Sequence, residues 1–106
     1  MTQTELSQAL KSTGLPVAYR AFRSPPSPPY LMYIFSYSKD LMADDCNYAE
    51  ISNFQVELYT DKKDPPTEML VETKFKELGL PYSKLETFLQ SEGLFQILYQ
   101  VQLTGG

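Results

Sequence analysis

The sequence predicts a two-layer α+β domain with a mostly antiparallel sheet and the element order α-β-β-β-α-β-β. Two stretches combine helical periodicity with capping residues, and the stretches 50–60 and 95–103 alternate with a period of two. The connections between these stretches are short. At 106 residues the chain is expected to form a single domain spanning 1–106.

The N-terminal part predicts one helix and one short strand. A helix is expected over 3–13, because Thr2 and Glu5 have the spacing of a capping box and Gly14 fits the position after the last turn. A strand is expected over 17–22, with Val17, Tyr19 and Ala21 on one side.

The low-complexity stretch 24–29 is rich in proline and follows that strand. It is expected to be extended or turn-like, since proline donates no backbone hydrogen bond. A ligand for an SH3-type partner is one interpretation, but the only basic residues nearby are Arg20 and Arg23. A stiff connection between two strands is the favoured interpretation, and Pro25 and Pro26 remain candidate partner contacts.

Two long strands follow, over 30–37 and 50–60. The first is apolar on both faces until Ser36, which predicts a central strand covered on both sides. The second alternates, which predicts one buried and one polar face. The acidic stretch 38–48 between them is expected to be a long loop or the outer part of a hairpin.

A second helix is expected between Asp64 and Gly79, with Asp64 as its N-cap and Pro65 as its first residue. Because it lies between two strands, it is a candidate crossover connection. Glu68 and Glu72 are expected to face solvent. The residues expected to form its buried stripe are Leu70, Val71, Phe75 and Leu78.

The last two strands are expected over 82–89 and 95–103. Gln96, Gln100 and Gln102 mark a neutral polar face on the final strand. This strand, or the short first one, is a candidate free edge for pairing with another subunit.

The composition excludes several classes of protein. The chain has no histidine, which removes imidazole bases and the usual Cys/His zinc sites. It has no glycine-rich phosphate loop, and its net charge of −4 is the reverse of what phosphate binding requires. Cys46 lies among acidic residues that favour the protonated thiol, so it is interpreted as structural or incidental. No signal peptide, membrane span, cofactor or catalytic activity is expected.

The acidic and tyrosine residues favour contacts with protein. Asp44 and Asp45 lack the spacing of a calcium loop, so a solvated acidic loop is favoured over a divalent-cation site. Eight tyrosines are many for this length, and tyrosine is enriched at protein interfaces. The candidate subunit or partner contacts are Lys39, Asp40, Asp44, Asp45, Pro25, Pro26 and Tyr48.

Three segments resemble proteins of long-tailed bacteriophages of Gram-positive hosts. These segments are 10–19, 54–64 and 86–99, and the resemblance covers nearly the whole chain in the same order. They are similar to the tail terminator, or tail-to-head joining, proteins of siphophages. These segments are structural rather than catalytic.

The resemblance implies a virion protein at the head–tail junction, assembled in the host cytoplasm. It implies a hexameric ring of α+β domains that caps the tail tube, stops its growth and docks it to the head–tail connector protein. The expected partners are further copies of the chain, the tail tube protein and the connector. DNA would pass through the lumen without specific binding, for which an acidic ring is suited.

Other interpretations stay open from the sequence. The nearest is another small phage head-completion or tail-tube-associated protein. A phage-encoded acidic inhibitor of a host protein is a second alternative, although the acids are interleaved with lysines. A small carboxylate-dependent hydrolase is the third, and it would need a converging acidic pair.

Overall fold

The computed structural model describes residues 1–42 and 48–104 of the chain. Seven elements follow one another in the predicted order, two helices and five strands. Their bounds are α1 (Gln3–Lys11), β1 (Val17–Tyr19), β2 (Tyr30–Met42), β3 (Tyr48–Thr60), α2 (Pro65–Glu77), β4 (Tyr82–Leu89) and β5 (Leu94–Thr104).

All five strands form one sheet in the spatial order β1-β2-β3-β5-β4. Every neighbouring pair is antiparallel except β1 and β2, which are parallel. Since β3 and β4 are both antiparallel to β5, they run parallel to each other, and α2 connects them as a crossover. The predicted α+β class, the mostly antiparallel sheet and the element order are therefore confirmed.

Both helices lie on one face of the sheet and enclose a single core. Leu6 and Leu10 of α1 and Val71 and Phe75 of α2 are fully buried there. They join buried side chains of three strands, β2, β3 and β5: Leu31, Tyr33, Phe54, Val56, Leu58, Ile97, Tyr99, Val101 and Leu103. The alternation in β3 and β5 thus places one face of each strand under the helices, as the sequence predicts.

Both helices begin where local sequence predicts, whereas α1 ends at Lys11, two residues before the predicted end. The Thr2 hydroxyl accepts from the Glu5 amide at 3.2 Å, and the Glu5 carboxylate accepts from the Thr2 amide at 3.0 Å. The Asp64 carboxylate accepts from the Thr67 amide at 3.3 Å, and Pro65 is the first residue of α2. These bonds satisfy amide groups that the first turn of a helix leaves without intrahelical partners.

Strand β1 is shorter than predicted. It ends at Tyr19 because Arg20 has a φ of +67°, a left-handed conformation that does not continue a strand. The Arg20 amide still donates to the Tyr33 carbonyl at 2.9 Å, after which the chain leaves the sheet. From residue 34 onward, β2 has no neighbour on that side within the described part of the chain.

Of the two alternatives for 38–48, the outer part of a hairpin is correct for the described residues 38–42 and 48, and a long loop is wrong for them. The hairpin of β2 and β3 continues to the pair Met42–Tyr48, because backbone pairing between antiparallel strands does not require apolar side chains. Pairing of β3 with β5 ends at Ile51–Thr104, so the end of the hairpin extends beyond the other strands. One residue is inserted between Phe35 and Tyr37, where the register shifts by a bulge.

The prediction that β2 is covered on both sides is wrong in part. The strand is internal where β1 pairs with it, but both helices lie on the same face of the sheet. Phe35 is exposed although it lies opposite Phe54 on the helix face, and Met32 and Ile34 on the other face are only half-buried. Tyr30 is buried on that face by neighbouring aromatic rings instead of by a helix.

The predicted buried stripe of α2 is also wrong in part. Val71 and Phe75 are buried, but Leu70 and Leu78 are exposed. Glu68, expected to face solvent, is only 4% exposed and shares the inner side of the helix with Val71 and Phe75. Relative to the prediction, the helix is therefore rotated about its axis, so that Glu68 faces the sheet and Leu70 faces outward.

This orientation of α2 predicts unequal costs for two truncations. Phe75→Ala should lower the free energy of unfolding by about 3–5 kcal/mol, because it empties a buried ring site. Leu70→Ala should change it by less than about 0.5 kcal/mol, because the side chain is largely exposed. Urea unfolding of the two variants measures both values, and equal losses would contradict the orientation.

Candidate assembly surfaces

The structure does not bring the predicted contact residues together. Pro25 is exposed and Pro26 is half-buried in the connection before β2. Lys39 and Asp40 lie near the far end of that strand, about 30 Å from its start by strand geometry. The prolines and the end of the hairpin therefore belong to separate regions.

The structure does not describe the side chains of Lys39, Asp40 and Tyr48, which are predicted to contact partners at the end of the hairpin. The backbones of Lys39, Asp40 and Tyr48 lie in β2 and β3, where Lys39 pairs with Ile51 and Tyr48 with Met42. Asp44, Asp45 and Cys46 lie outside the described residues.

The free edge opposite β1 is β4, and we call the exposed residues Leu85 and Phe88 of this strand the edge surface. Leu85 is 60% exposed and Phe88 48% exposed. The two side chains lie on opposite faces of the sheet because their positions are an odd number of residues apart. All eight residues of β4 pair with β5 in unbroken register, and no strand among residues 1–42 and 48–104 pairs with the outer side of β4.

The expectation of a free edge is confirmed for β1 and wrong for β5. The final strand, β5, lies between β3 and β4. The crossover through α2 places β4 two positions away from β3 in the sheet, and β5 occupies the position between them. Gln96 and Gln100 are half-buried on the face without helices, and Gln102 is exposed there. The Gln96 amide donates to the Tyr59 hydroxyl at 2.9 Å.

A second apolar region lies on the outer side of α2, and we call Met69 and Leu70 the outer helix surface. Met69 is 66% exposed and Leu70 49% exposed. They line a shallow depression whose other walls are Pro66, Thr73, Lys74 and Glu77. Adjacent large exposed apolar side chains are typical of surfaces that contact another protein.

Between α2 and β4 lies a group of charged side chains that we call the ion cluster: Lys63, Glu68, Glu72, Lys84 and Glu86. The Lys84 Nζ lies 2.7 Å from the Glu68 Oε1 and 2.8 Å from the Glu72 Oε2. The Lys63 Nζ lies 2.7 Å from the Glu68 Oε2 and also pairs with Glu86. The interpretation of Glu68 and Glu72 as solvent-facing is therefore wrong.

Two tyrosines complete the ion cluster on the sheet side. The Tyr99 hydroxyl donates to the Glu72 Oε2 at 2.7 Å, and the Tyr82 hydroxyl to its Oε1 at 3.4 Å. The Tyr99 ring packs against Phe75 with centroids 5.3 Å apart. The tyrosine rings therefore lie between the apolar core and the ion cluster, and their hydroxyls bond to Glu72.

The charges of the ion cluster stabilise one another. Burial alone would raise the pKa of Glu68, but hydrogen bonds from Lys63 and Lys84 outweigh it and lower that pKa. The pKa of Glu72 is likewise lowered against burial, by Lys84 and then by Tyr99. Bonds to both glutamates raise the pKa of Lys84, which therefore stays charged at neutral pH.

The ion cluster was missed in the sequence because its members come from separate elements. Glu68 and Glu72 are one turn apart, which was visible, but their lysines lie on the preceding turn and on β4. A usable signal was the alternation of Tyr82, Lys84 and Glu86, which places all three on one face of β4.

Within residues 1–42 and 48–104, no group of three or more acidic or cysteine side chains is placed so that it could hold a metal ion. Neither helix in these ranges is long and apolar enough to cross a membrane.

Removing one charge from the ion cluster should destabilise the fold. Glu68→Gln should lower the free energy of unfolding by about 1–3 kcal/mol, because two lysines lose their shared anionic partner. Glu77→Gln is the matched control, since its carboxylate is half-exposed and lies 3.8 Å from Lys74. The control should change stability by less than about 0.5 kcal/mol. Equal urea unfolding curves for the two variants would contradict the role of the cluster.

Acid should remove the contribution of these carboxylates. Their pKa values are lowered in the folded chain, so their stabilisation is complete above the unfolded pKa of about 4.3 and is lost as pH falls through the folded values. Urea unfolding of the wild type and Glu68→Gln from pH 6 to pH 3 should show the difference between them shrinking with acid. A difference that stays constant over this range would argue against the linkage.

Comparison with known proteins finds a similar fold but no matching sequence. No protein-family model matches the chain, and neither does any curated protein. The fold is similar to that of a chain in the virion of a native gene transfer agent particle, with a TM-score of 0.55 and 11% sequence identity. The alignment covers 92% of this chain and 84% of that one. The likeness spans nearly the whole chain and shows a shared fold.

Proposed function

We propose that the chain is a structural protein of a virion and acts as a tail terminator. In this role a ring of copies caps the tail tube, ends its growth and joins it to the head–tail connector. The observation that carries the proposal is the fold shared with a virion chain over 92% of this chain and 84% of the other. The resemblance of three sequence segments to tail terminators of long-tailed phages supports the finer role.

A closed ring needs two different surfaces on each subunit, since its contacts are head to tail. The edge surface supplies one of them. A free strand edge is normally blunted by charged residues, lysine above all. Here Lys84 pairs with Glu68 and Glu72 on the helix side, so it does not shield the free edge. Leu85 and Phe88 are exposed on this strand, beside backbone groups that are unpaired in the described residues. This edge is suited to pairing with a second copy of the chain.

The second surface of the ring contact is proposed to be the end of the β2–β3 hairpin, with Lys39, Asp40, Asp44, Asp45 and Tyr48. The hairpin extends past the end of β5, so it can reach a neighbouring subunit. Beyond Tyr33, the outer side of β2 is unpaired within the described residues. A sheet continued from this edge of one subunit to β4 of the next would be a head-to-tail contact.

The charge of the chain supports a conduit for DNA in place of a DNA-binding role. Each copy carries a formal charge of −4, and a ring of such copies repels phosphate. DNA is therefore proposed to pass through the lumen without specific binding. The further partners of the ring are the tail tube protein and the connector, and no catalytic activity is part of the proposal.

The arrangement of the acids argues against an inhibitor that imitates DNA. Such an inhibitor needs a dense, uncompensated acidic face. Glu68, Glu72 and Glu86 instead pair with two lysines of the same chain. A head-completion or tail-tube-associated protein remains the alternative to the terminator, because both would be small virion proteins of similar fold.

Electron microscopy of lysates from a phage that lacks this gene tests the terminator role. Overlong tails of irregular length, unattached to filled heads, are expected because nothing would stop growth of the tube. Tails of normal length separated from heads would instead assign a joining role. Normal joined particles would contradict an assembly function of either kind.

A charge at the edge surface should weaken self-association. Leu85→Lys should leave the free energy of unfolding within about 0.5 kcal/mol, because the side chain is 60% exposed, but should block strand pairing there. Sedimentation velocity over a range of concentrations should show association of the wild type and its loss in this variant. Gln8→Lys makes the same charge change on the exposed side of α1 and should associate normally. Unchanged association of Leu85→Lys would contradict the edge contact.

A further inference from the structure

A small hollow lies on the face of the sheet without helices, at the start of β2. Its walls are formed by Ala21, Phe22, Pro25, Tyr30, Met32, Tyr59 and Glu92, and its volume is about 160 Å³. We call it the aromatic hollow. It is separate from the ion cluster and from the outer helix surface, which lie on the other face.

The aromatic walls of the hollow are held in place by their neighbours. Tyr30 and Tyr59 are opposite each other in the pairing of β2 with β3, and their rings stack with centroids 5.1 Å apart. Phe22 meets Tyr30 edge-on at 5.4 Å. The Tyr59 hydroxyl donates to Glu57 at 2.8 Å and accepts from Gln96 at 2.9 Å, which fixes its ring. The hollow therefore needs little rearrangement to accept a ligand.

One carboxylate stands at the rim of the hollow. Glu92 lies in the tight turn between β4 and β5, where the amides of Glu92 and Gly93 both donate to the Leu89 carbonyl. The turn brings Glu92 close to Tyr30, whose pKa is raised by burial and then by this carboxylate. No lysine or arginine is among the residues that line the hollow, and Arg23 nearby is exposed.

The geometry points to a binding site for a lysine or arginine side chain of a partner protein. A long cationic side chain has an apolar stem that packs on aromatic rings and a charged end that keeps polar contacts. In the hollow, the stem would lie against Phe22, Tyr30 and Tyr59, and the charged end would reach Glu92. Aromatic rings also attract cations directly.

A partner protein is favoured over a second copy as the source of this cation. The chain carries a net charge of −4, so it attracts a basic protein and repels another copy of itself at long range. Two of its own lysines, Lys63 and Lys84, are already held in the ion cluster. The inference does not depend on the proposed role in the virion.

Titration of the full chain with N-acetyl-arginine amide and N-acetyl-lysine amide, followed by NMR, tests the site. Ring resonances of Phe22, Tyr30 and Tyr59 are expected to shift and saturate with either probe at millimolar concentrations. N-acetyl-norleucine amide has a similar stem without the charge and should bind at least threefold more weakly. Absence of shifts up to 100 mM of the cationic probes, or equal binding of norleucine amide, would overturn the proposal.

Two variants locate the charge contact. Glu92→Gln should weaken binding of the cationic probes about threefold, the range for a partly exposed ion pair, and leave norleucine amide unaffected. Glu77→Gln removes a carboxylate from the other side of the molecule and should bind as the wild type does. Equal effects of the two substitutions would overturn the role of Glu92. Loss of self-association in Glu92→Gln would assign the hollow to a second copy and overturn the choice of partner.

Discussion

The contact of Tyr99 with α2 determines how the helix sits on the sheet. Its ring packs against Phe75, while its hydroxyl donates to Glu72 one turn earlier in the helix. Burial and that hydrogen bond raise the pKa of Tyr99, so the hydroxyl stays protonated and remains a donor. Tyr99 thus packs against the apolar part of the inner side of α2 and also hydrogen-bonds to its charged part. The rotation that results turns Met69 and Leu70 outward.

The strands could be predicted from the sequence, whereas the rotation of α2 could not. Alternation in β3 and β5 identifies a buried face directly, since successive side chains of a strand point to opposite sides. Along α2, Leu70 and Val71 are neighbours in sequence, so apolar side chains occur on two sides of the helix. Contacts from other elements favour the side that carries Val71 and Glu68: Tyr99 of β5, together with Lys63 and Lys84.

The free edges depend on tertiary structure in the same way. The short connection between β4 and β5 favours a hairpin, but it leaves open which of the two strands pairs with β3. The crossover through α2 makes β4 parallel to β3, and β5 fills the position between them. The edge surface with Leu85 and Phe88 therefore lies on β4. Among the residues expected to contact partners, Pro25 lines the aromatic hollow, which sequence reasoning alone did not reveal.

The three surfaces face in different directions, and this bears on assembly. The outer helix surface and the aromatic hollow lie on opposite faces of the sheet, and the edge surface lies at its border. Strand pairing at the border adds a subunit within the plane of the sheet, so it covers neither face. A subunit joined to its neighbours by such edges would still present Met69 and Leu70 on one side and the hollow on the other. The proposed role, in which each subunit of a ring contacts a tube and a connector, requires this independence of the contacts.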